Sequence, residues 1–206
     1  MPLALIPNLK ENIETKIEEL ADHAYEQKAL ILTETDLQCL LYKKLYEIDY
    51  LSEISETEDG YITNKIHTEI SWYDSNQHQL KIRPDITLLK PENLKITSGF
   101  DRELPSKGLH SNDGGIMFEI KFDRELNTIT ERNMDGIFKD IRNFKYIYDR
   151  FNQEGLEDEI YGYFIFFIKS HPYTHNINKI NRIHQELAEK ELDETKCKFI
   201  YKFLEV

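Results

Sequence analysis

The sequence predicts an α/β fold in which a mixed central β-sheet is flanked by helices. Some segments place apolar residues at helical spacing, whereas others alternate or are continuously apolar, as strands are. These segments follow one another in the order α, α, β, β, β, α, β, α, β. Three strands therefore precede a helix that leads to a further strand, and such a crossover favours parallel pairing within a mixed sheet.

Four segments have the spacing of amphipathic helices, with apolar residues three and four positions apart. They are residues 8–31, 36–48, 131–151 and 177–192. Thr35 and Gln38 stand where a capping box would begin the second of these helices. The third is the longest and has the most regular apolar side.

The strands are predicted from alternation of apolar and polar residues, or from short apolar runs bounded by turn residues. They are residues 65–73, 80–89, 116–122, 161–168 and 198–204. Residues 52–60 are acidic and are interpreted as a loop. Residues 91–115 contain two Pro and four Gly without a sustained period, which predicts a long loop.

Two short segments carry the chemistry, namely Arg83-Pro84-Asp85-Ile86 and Phe118-Glu119-Ile120-Lys121. Side chains two residues apart in a strand share a face, so Glu119 and Lys121 are neighbours. If the two strands pair, Asp85 faces both of them. Pro84 cannot donate to a sheet ladder, which predicts a bulge, an edge or the end of regular pairing beside Asp85. The pattern thus brings two carboxylates and one amine to one place.

The element order, the Pro-Asp pair and the Glu-x-Lys on the next strand resemble the PD-(D/E)xK nuclease superfamily, which has the restriction-endonuclease-like fold. The resemblance covers residues 34–168, as an αβββαβ core. It leaves residues 1–33 as an N-terminal helical segment and 169–206 as a C-terminal α-β extension of a single domain, 1–206. It implies hydrolysis of phosphodiester bonds in nucleic acid, with a DNA endonuclease preferred. An RNase of the same fold and a catalytically inactive binding or assembly module stay open as alternatives.

The resemblance also implies roles for individual residues. Asp85 and Glu119 would bind Mg²⁺ or Mn²⁺, with the main-chain carbonyl of Ile120 as a further ligand. Lys121 would position or activate the attacking water, or stabilise the developing negative charge. These roles suit the chemistry, because Mg²⁺ is commonly held by one or two carboxylates together with water and phosphate oxygens.

The family often adds an acidic residue from an upstream helix, and two candidates stand here. Glu34 is the first choice by position, although an acid at the start of a helix also complements the helix dipole. Glu69 on the preceding strand is the alternative. Six basic residues are candidates for contacts with nucleic acid, and each can equally be a solvated surface charge: Lys81, Arg83, Arg102, Lys107, Lys139 and Arg142.

Composition sets limits on these expectations. The formal net charge is −12, which counts against a protein that coats nucleic acid through bulk electrostatics.

Cys39 and Cys197 are far apart and form no zinc pattern, so reduced thiols are expected. Residues 1–7 lack the pattern of a signal peptide and no apolar run is long enough to span a bilayer, which predicts a cytoplasmic protein without membrane contact. A homodimer or a subunit of a larger complex is compatible with the small size.

Overall fold

The computed structural model describes residues 1–74, 79–93, 108–109 and 114–205. Within this part of the chain lie five α-helices and ten strands. The helices are α1 (Leu9–Glu26), α2 (Glu34–Tyr46), α3 (Asp49–Ser52), α4 (Glu131–Gln153) and α5 (Thr174–Glu189). The strands are β1 (Ser55–Glu56), β2 (Ile62–Thr63), β3 (Ile66–Thr68), β4 (Ser71–Asp74), β5 (Gln79–Ile82), β6 (Ile86–Leu88), β7 (Gly108–Leu109), β8 (Gly115–Asp123), β9 (Ile160–Ile168) and β10 (Cys197–Phe203).

A mixed five-stranded sheet forms the centre of the fold, in the order β10-β9-β8-β6-β3. Strands β8, β9 and β10 are parallel, with α4 and α5 as the crossover helices between them. Strand β6 runs antiparallel to both β8 and β3. The predicted α/β class, the mixed sheet and the parallel crossover are therefore confirmed. Strands β4, β5 and β7 form a separate small sheet, and β1 pairs with β2.

Helices cover both faces of the central sheet, because alternate residues of each strand supply two hydrophobic cores. Strand β8 shows this most clearly. Its residues Phe118 and Ile120 pack into the core beneath α1 and α2. Its residue Met117 belongs to the opposite core, beneath α4 and α5. Glu119 and Lys121 alternate with Phe118 and Ile120, so they lie on the α4 side of the sheet.

The predicted strand over residues 80–89 is wrong as a single element. The chain forms β5 in the small sheet, leaves it after Ile82, and enters the central sheet as β6 at Ile86. Pro84 lies between the two strands, where its missing N–H group removes no ladder bond. The alternation of side chains continues through the break, which is why the sequence alone suggested one strand.

The predicted strand over residues 65–73 is also divided, into β3 and β4. Glu69 causes the division, because its φ angle of 54° places it in the left-handed region, which ends an extended strand. Residues 52–60, predicted as a loop, contain the end of α3 and strand β1. Within the predicted loop 91–115, a short 3₁₀ turn covers Pro91–Asn93 and β7 adds a brief strand. Residues 94–107 and 110–113 lie outside the described part of the chain.

The start of α2 lies two residues before the predicted start. Thr33 is the N-cap, and its hydroxyl accepts from the main-chain N–H of Asp36. The Asp36 carboxylate in turn accepts from the N–H groups of Thr33 and Leu32. The capping box is therefore Thr33 with Asp36, not Thr35 with Gln38. This frees the Gln38 side chain for a contact described below.

No helix in the described part of the chain is both long enough and apolar enough to cross a membrane.

Replacing Thr33 by Ala is expected to lower the free energy of unfolding by about 1 kcal/mol, because the first turn of α2 loses its cap. Thr35→Ala is the matched control, since Thr35 is exposed within the first turn. Its effect is expected to stay within about 0.5 kcal/mol. Urea denaturation of both variants measures the difference. A larger loss for Thr35→Ala would show that α2 begins at the later position.

Candidate active site

The candidate site lies where the pairing of β6 with β8 stops. The last paired residues are Ile86 and Phe118, and continuing their register by one residue brings Asp85 opposite Glu119. At this point the side chain of Asp85 replaces a ladder carbonyl, because its Oδ2 accepts from the main-chain N–H of Ile120 at 2.6 Å. The Asp85 carboxylate is thus inserted between two strands that are beginning to separate.

Two further elements hold the backbone of Asp85 by hydrogen bonds to its carbonyl oxygen. Its carbonyl oxygen accepts from Gln38 Nε2 of α2 at 2.6 Å. The same oxygen accepts from the main-chain N–H of Glu69, after β3, at 3.1 Å. Asp85 is therefore held by α2, by the β3 end and by β8, which limits the positions its carboxylate can take.

Lys121 extends from β8 toward α4 and meets an acid that the motif does not contain. Its Nζ lies 3.0 Å from Asp140 Oδ2 of α4 and 3.0 Å from the carbonyl oxygen of Ile120. Glu34 at the start of α2 is more distant, with its Oε1 at 4.0 Å from Nζ. Gly136 leaves room for the lysine stem, since a Cβ at that position would stand 3.3 Å from Lys121 Cε.

The two motif carboxylates have raised pKa values. For Asp85, burial raises the pKa to about 6, and the charges of Glu34 and Asp140 add to this, while the Ile120 N–H and Lys121 oppose it. For Glu119, burial again comes first, followed by repulsion from Asp140 and Asp85, and the pKa lies well above its ordinary value. The cause in both cases is that several carboxylates share a poorly hydrated place.

Lys121 has a raised pKa, so it stays an ammonium ion at neutral pH. Burial alone would lower the pKa, but the charges of Asp140, Glu34 and Asp85 outweigh it. One ammonium group therefore faces four carboxylates, and the cluster has an excess of negative charge when all of them are ionised. A second cation would relieve this excess.

The structure brings together most of the predicted site residues. Asp85 lies opposite Glu119, both carboxylates interact electrostatically with Lys121, and the Ile120 carbonyl oxygen accepts from Lys121 Nζ. Glu34 reaches the cluster, whereas Glu69 is directed elsewhere. Glu69 is exposed and its carboxylate lies 3.8 Å from the guanidinium group of Arg83. Of the two candidates for the additional acid, geometry thus favours Glu34.

Two residues of the site were missed from the sequence, namely Asp140 and Gln38. Asp140 follows Ile137 by three residues and so lies at the border of the apolar face of α4, but this position alone does not show that it meets a buried lysine. For Gln38 the sequence predicts a place in a capping box, which the chain builds from Thr33 and Asp36 instead. No local pattern predicts that a glutamine will donate to a main-chain carbonyl forty-seven residues away.

The donor set suits a hard divalent cation. No group of three or more His, Cys, Asp or Glu side chains within the described residues stands in a metal-binding arrangement. Mg²⁺ does not need three such ligands, because it often takes one or two carboxylates and completes its shell with water and phosphate oxygens. Asp85 and Glu119 supply two. Asp140 Oδ2 is buried and lies 3.0 Å from Lys121 Nζ, although this contact among the described residues lacks the geometry of a hydrogen bond.

The structure describes the side chains of three of the six basic residues that are predicted to contact nucleic acid. Lys139 and Arg142 are exposed on α4, and Lys139 directly precedes Asp140. Arg83 is exposed beside Glu69. Lys81 belongs to β5, but its side chain lies outside the described part of the structure, as do Arg102 and Lys107.

Comparisons with protein-family models, with curated proteins and with solved structures give no match to this chain.

Asp85→Asn is expected to stabilise the metal-free protein by about 1–3 kcal/mol at pH 7, because it removes a buried charge and keeps an oxygen for the Ile120 N–H. The folded pKa of about 6 lies above the ordinary value of 3.8. The penalty of ionisation is therefore present above about pH 6 and disappears as the pH falls toward 4. The gain from Asn should disappear over the same range, which denaturation at several pH values measures.

Asp123→Asn, at the end of the neighbouring strand β8, is the matched control. Both Asp123 carboxylate oxygens accept main-chain N–H groups, from Glu125 at 3.0 Å and from Thr130 at 2.7 Å. An amide can replace only one of these acceptors, so a loss of about 1–3 kcal/mol is expected. If Asp85→Asn destabilises the protein as Asp123→Asn does, Asp85 is a structural residue.

Proposed function

We propose that this protein is a Mg²⁺- or Mn²⁺-dependent nuclease that hydrolyses phosphodiester bonds, with DNA as the preferred substrate. The observation that carries the proposal is the convergence of Asp85, Glu119 and Lys121 at the point where β6 and β8 separate. Two carboxylates with raised pKa values beside one ammonium group are the parts that this chemistry needs.

The topology supports a restriction-endonuclease-like core within the mixed sheet. Within the central sheet, in chain order, α2 is followed by strands β3, β6 and β8, and α4 then crosses to β9. This is the αβββαβ order expected of residues 34–168, with the carboxylates on neighbouring strands. The additional small sheet formed by β4, β5 and β7 is a departure from the simplest form of that core.

In the proposed site, Asp85 and Glu119 hold the cation, with the Ile120 carbonyl, which also accepts from Lys121 Nζ, as a further ligand. Bound Mg²⁺ would lower the pKa of a coordinated water and offset charge on the phosphate. Glu34 stands at the open side of the cluster, where its exposed carboxylate can hold a water by hydrogen bonding. In hydrolysis the oxygen of that water forms a bond to phosphorus and the P–O bond to the leaving group breaks; the water releases a proton to solvent through Glu34, and the leaving oxygen takes a proton from solvent.

Lys121 acts in this proposal as a fixed positive charge. Its raised pKa keeps the ammonium protonated, so it does not serve as the general base. It orients the attacking water and stabilises negative charge on the phosphate as the transition state forms. Asp140 is a positioning residue, because its contact with Nζ holds the lysine chain against α4.

The remaining parts of the proposal follow from its chemistry. Nucleic acid is the partner, approached through the exposed Lys139 and Arg142 of α4 and through Arg83. A homodimer, or assembly into a larger complex, would supply the second site needed to cut both strands of a duplex. The expected location is the cytoplasm, where Mg²⁺ and reduced thiols are available.

An inactive binding module is the second candidate, and one observation favours it. The Lys121 ammonium is already engaged by Asp140 at 3.0 Å, in a chain whose net charge of −12 repels nucleic acid. In that reading the Lys121–Asp140 pair stabilises the fold and no cation is needed. Cleavage assays separate the two candidates directly.

The purified protein is expected to cleave DNA only when Mg²⁺ or Mn²⁺ is added. Glu119→Gln and Lys121→Ala should each lower the rate by about 100-fold or more, because one removes a ligand and the other a transition-state charge. Supercoiled plasmid, single-stranded DNA and RNA of the same sequence, assayed in parallel, distinguish a DNA endonuclease from an RNase.

Lys198→Ala is the matched control for the lysine variant. Lys198 is also a half-buried strand lysine with an acidic partner, its Nζ lying 2.6 Å from Glu14 Oε2 of α1. It belongs to β10, two strands away from β8, so its loss should leave cleavage unchanged. Equal residual cleavage in all four proteins would mean a contaminating nuclease, and no cleavage by any of them would favour the binding module.

A further inference from the structure

A groove of about 490 Å³ lies between α2 and β3, the edge strand of the central sheet. This volume falls within the range of about 300–1,000 Å³ that small-molecule sites occupy. Its polar lining comes from Gln38 and Tyr42 of α2 and from Asn64, His67 and Thr68 around β3. Neither the motif nor the proposed chemistry uses this groove.

The groove and the candidate active site share a wall. Gln38 lines the groove, and its Nε2 donates to the main-chain oxygen of Asp85. Thr68 at the other side of the groove is paired with Ile86, the residue that follows Asp85. A ligand in the groove would therefore lie beside the backbone segment that carries the Asp85 carboxylate.

The charge of the lining distinguishes this groove from two others in the described part of the chain. A groove between α1 and α3 has three acids in its lining, Glu19, Glu47 and Asp49, against one lysine, Lys16. A second, beside α5 and β10, has three acids, Glu191, Asp193 and Glu194, against two lysines, Lys196 and Lys198. The groove beside Asp85 has no acidic residue in its lining. In a chain of net charge −12, it offers a polyanion an approach without direct repulsion.

An exposed basic residue of α2 shares a helix face with one of the lining residues. Lys43 is exposed and follows Cys39, another lining residue, by one helical turn, so the two share a face of the helix. The lining itself carries no charged side chain, and Lys43 is an exposed cation on the same helix.

The interior has the donors and acceptors that read the edge of a base. His67 Nε2 lies 2.8 Å from the main-chain oxygen of Asn64, so this nitrogen carries the proton and donates. Burial lowers the pKa of His67, which keeps the ring neutral and leaves Nδ1 as an acceptor. Asn64 and Thr68 add an amide and a hydroxyl group. Tyr42 supplies a half-buried ring, stacked on Tyr46 with 6.3 Å between centroids.

We propose that this groove is a nucleotide subsite, which holds one unpaired base of a substrate strand against Tyr42 beside the phosphate at Asp85. The inference rests on the proposed nuclease function and adds a substrate class to it. A base within a duplex keeps its edge and faces covered, so occupancy requires a single strand, a flap or a base turned out of the helix. The protein should then prefer DNA with unpaired nucleotides over intact duplex.

An abasic scan tests this placement. Glu119→Gln provides a full-length protein that binds without cleaving, and the probe is a fluorescent single-stranded DNA of about 16 nucleotides. Removing the base at one position near the centre should weaken binding about 5- to 100-fold by fluorescence anisotropy, since stacking and edge contacts are lost. Removal at the other positions should have smaller effects, and an intact duplex should bind more weakly than the single strand.

Tyr42 variants in the Glu119→Gln background identify the groove as the place of contact. Tyr42→Ala should abolish the effect of the sensitive position, whereas Tyr42→Phe, which keeps the ring, should retain it. Tyr46→Ala is the control, because Tyr46 stacks on Tyr42 from outside the lining. Should Tyr42→Ala fail to fold, Asn64→Ala replaces it and is expected to weaken binding of the same strand.

The outcomes separate this inference from the proposed function. A flat scan, or an unchanged scan in a folded Tyr42→Ala protein, overturns the subsite, and cleavage by the wild type then leaves the nuclease proposal intact. Position-dependent binding that requires Tyr42, without cleavage by the wild type, supports the subsite and overturns the nuclease. Binding of RNA alone assigns the subsite to RNA and overturns the DNA preference.

Discussion

The burial of crowded carboxylates is the constraint on which the candidate site depends. Burial comes first in raising the pKa values of Asp85 and Glu119, the charges of Asp140 and Glu34 add to it, and a single ammonium group, Lys121, opposes it. Carboxylates brought this close while losing hydration favour the protonated form, as the raised pKa values of Asp85 and Glu119 show. A folded protein keeps such an arrangement at a cost in stability. The cost is understandable when a cation that neutralises the cluster belongs to the function.

The fold creates this crowding through an interrupted sheet. Strand β6 is only three residues long, and β8 continues beyond it to Asp123. Where the ladder ends, the Asp85 side chain takes the place of the missing strand carbonyl and bonds to Ile120. Pro84, which has no N–H to contribute, stands at the break. The same geometry that leaves the sheet incomplete therefore places a carboxylate beside the Glu-x-Lys of β8.

Much of the fold could be predicted from the sequence because its patterns are local. Apolar spacing identified the long α4, and the continuous apolar run identified β9 as a buried central strand. Alternation placed Glu119 and Lys121 on one face of β8. The same alternation gave a wrong prediction of one strand over residues 80–89, because the period of the side chains does not show which sheet a strand joins. The left-handed backbone of Glu69 was equally invisible, since glutamate rarely adopts it.

The site was predictable only where a motif defines it. Asp85, Glu119 and Lys121 belong to adjacent strands, so period and register sufficed to bring them together. Asp140 and Gln38 reach the site from separate helices, and their contacts depend on how those helices pack against the sheet. A helical residue at the border of an apolar face gives no indication of whether it meets water or a buried lysine. The groove beside Asp85 likewise arises only when α2 lies against β3.

Proton release on metal binding is the most direct measurement of the central claim. Titration calorimetry with Mn²⁺ near pH 6, in two buffers of different ionisation enthalpy, gives both the affinity and the number of protons released. If the crowded carboxylates hold the cation, binding displaces protons from Asp85 and Glu119, and the release increases as the pH falls from neutral toward 6. Absence of binding, or binding without proton release that persists in the Asp85→Asn, Glu119→Gln double variant, would contradict the account.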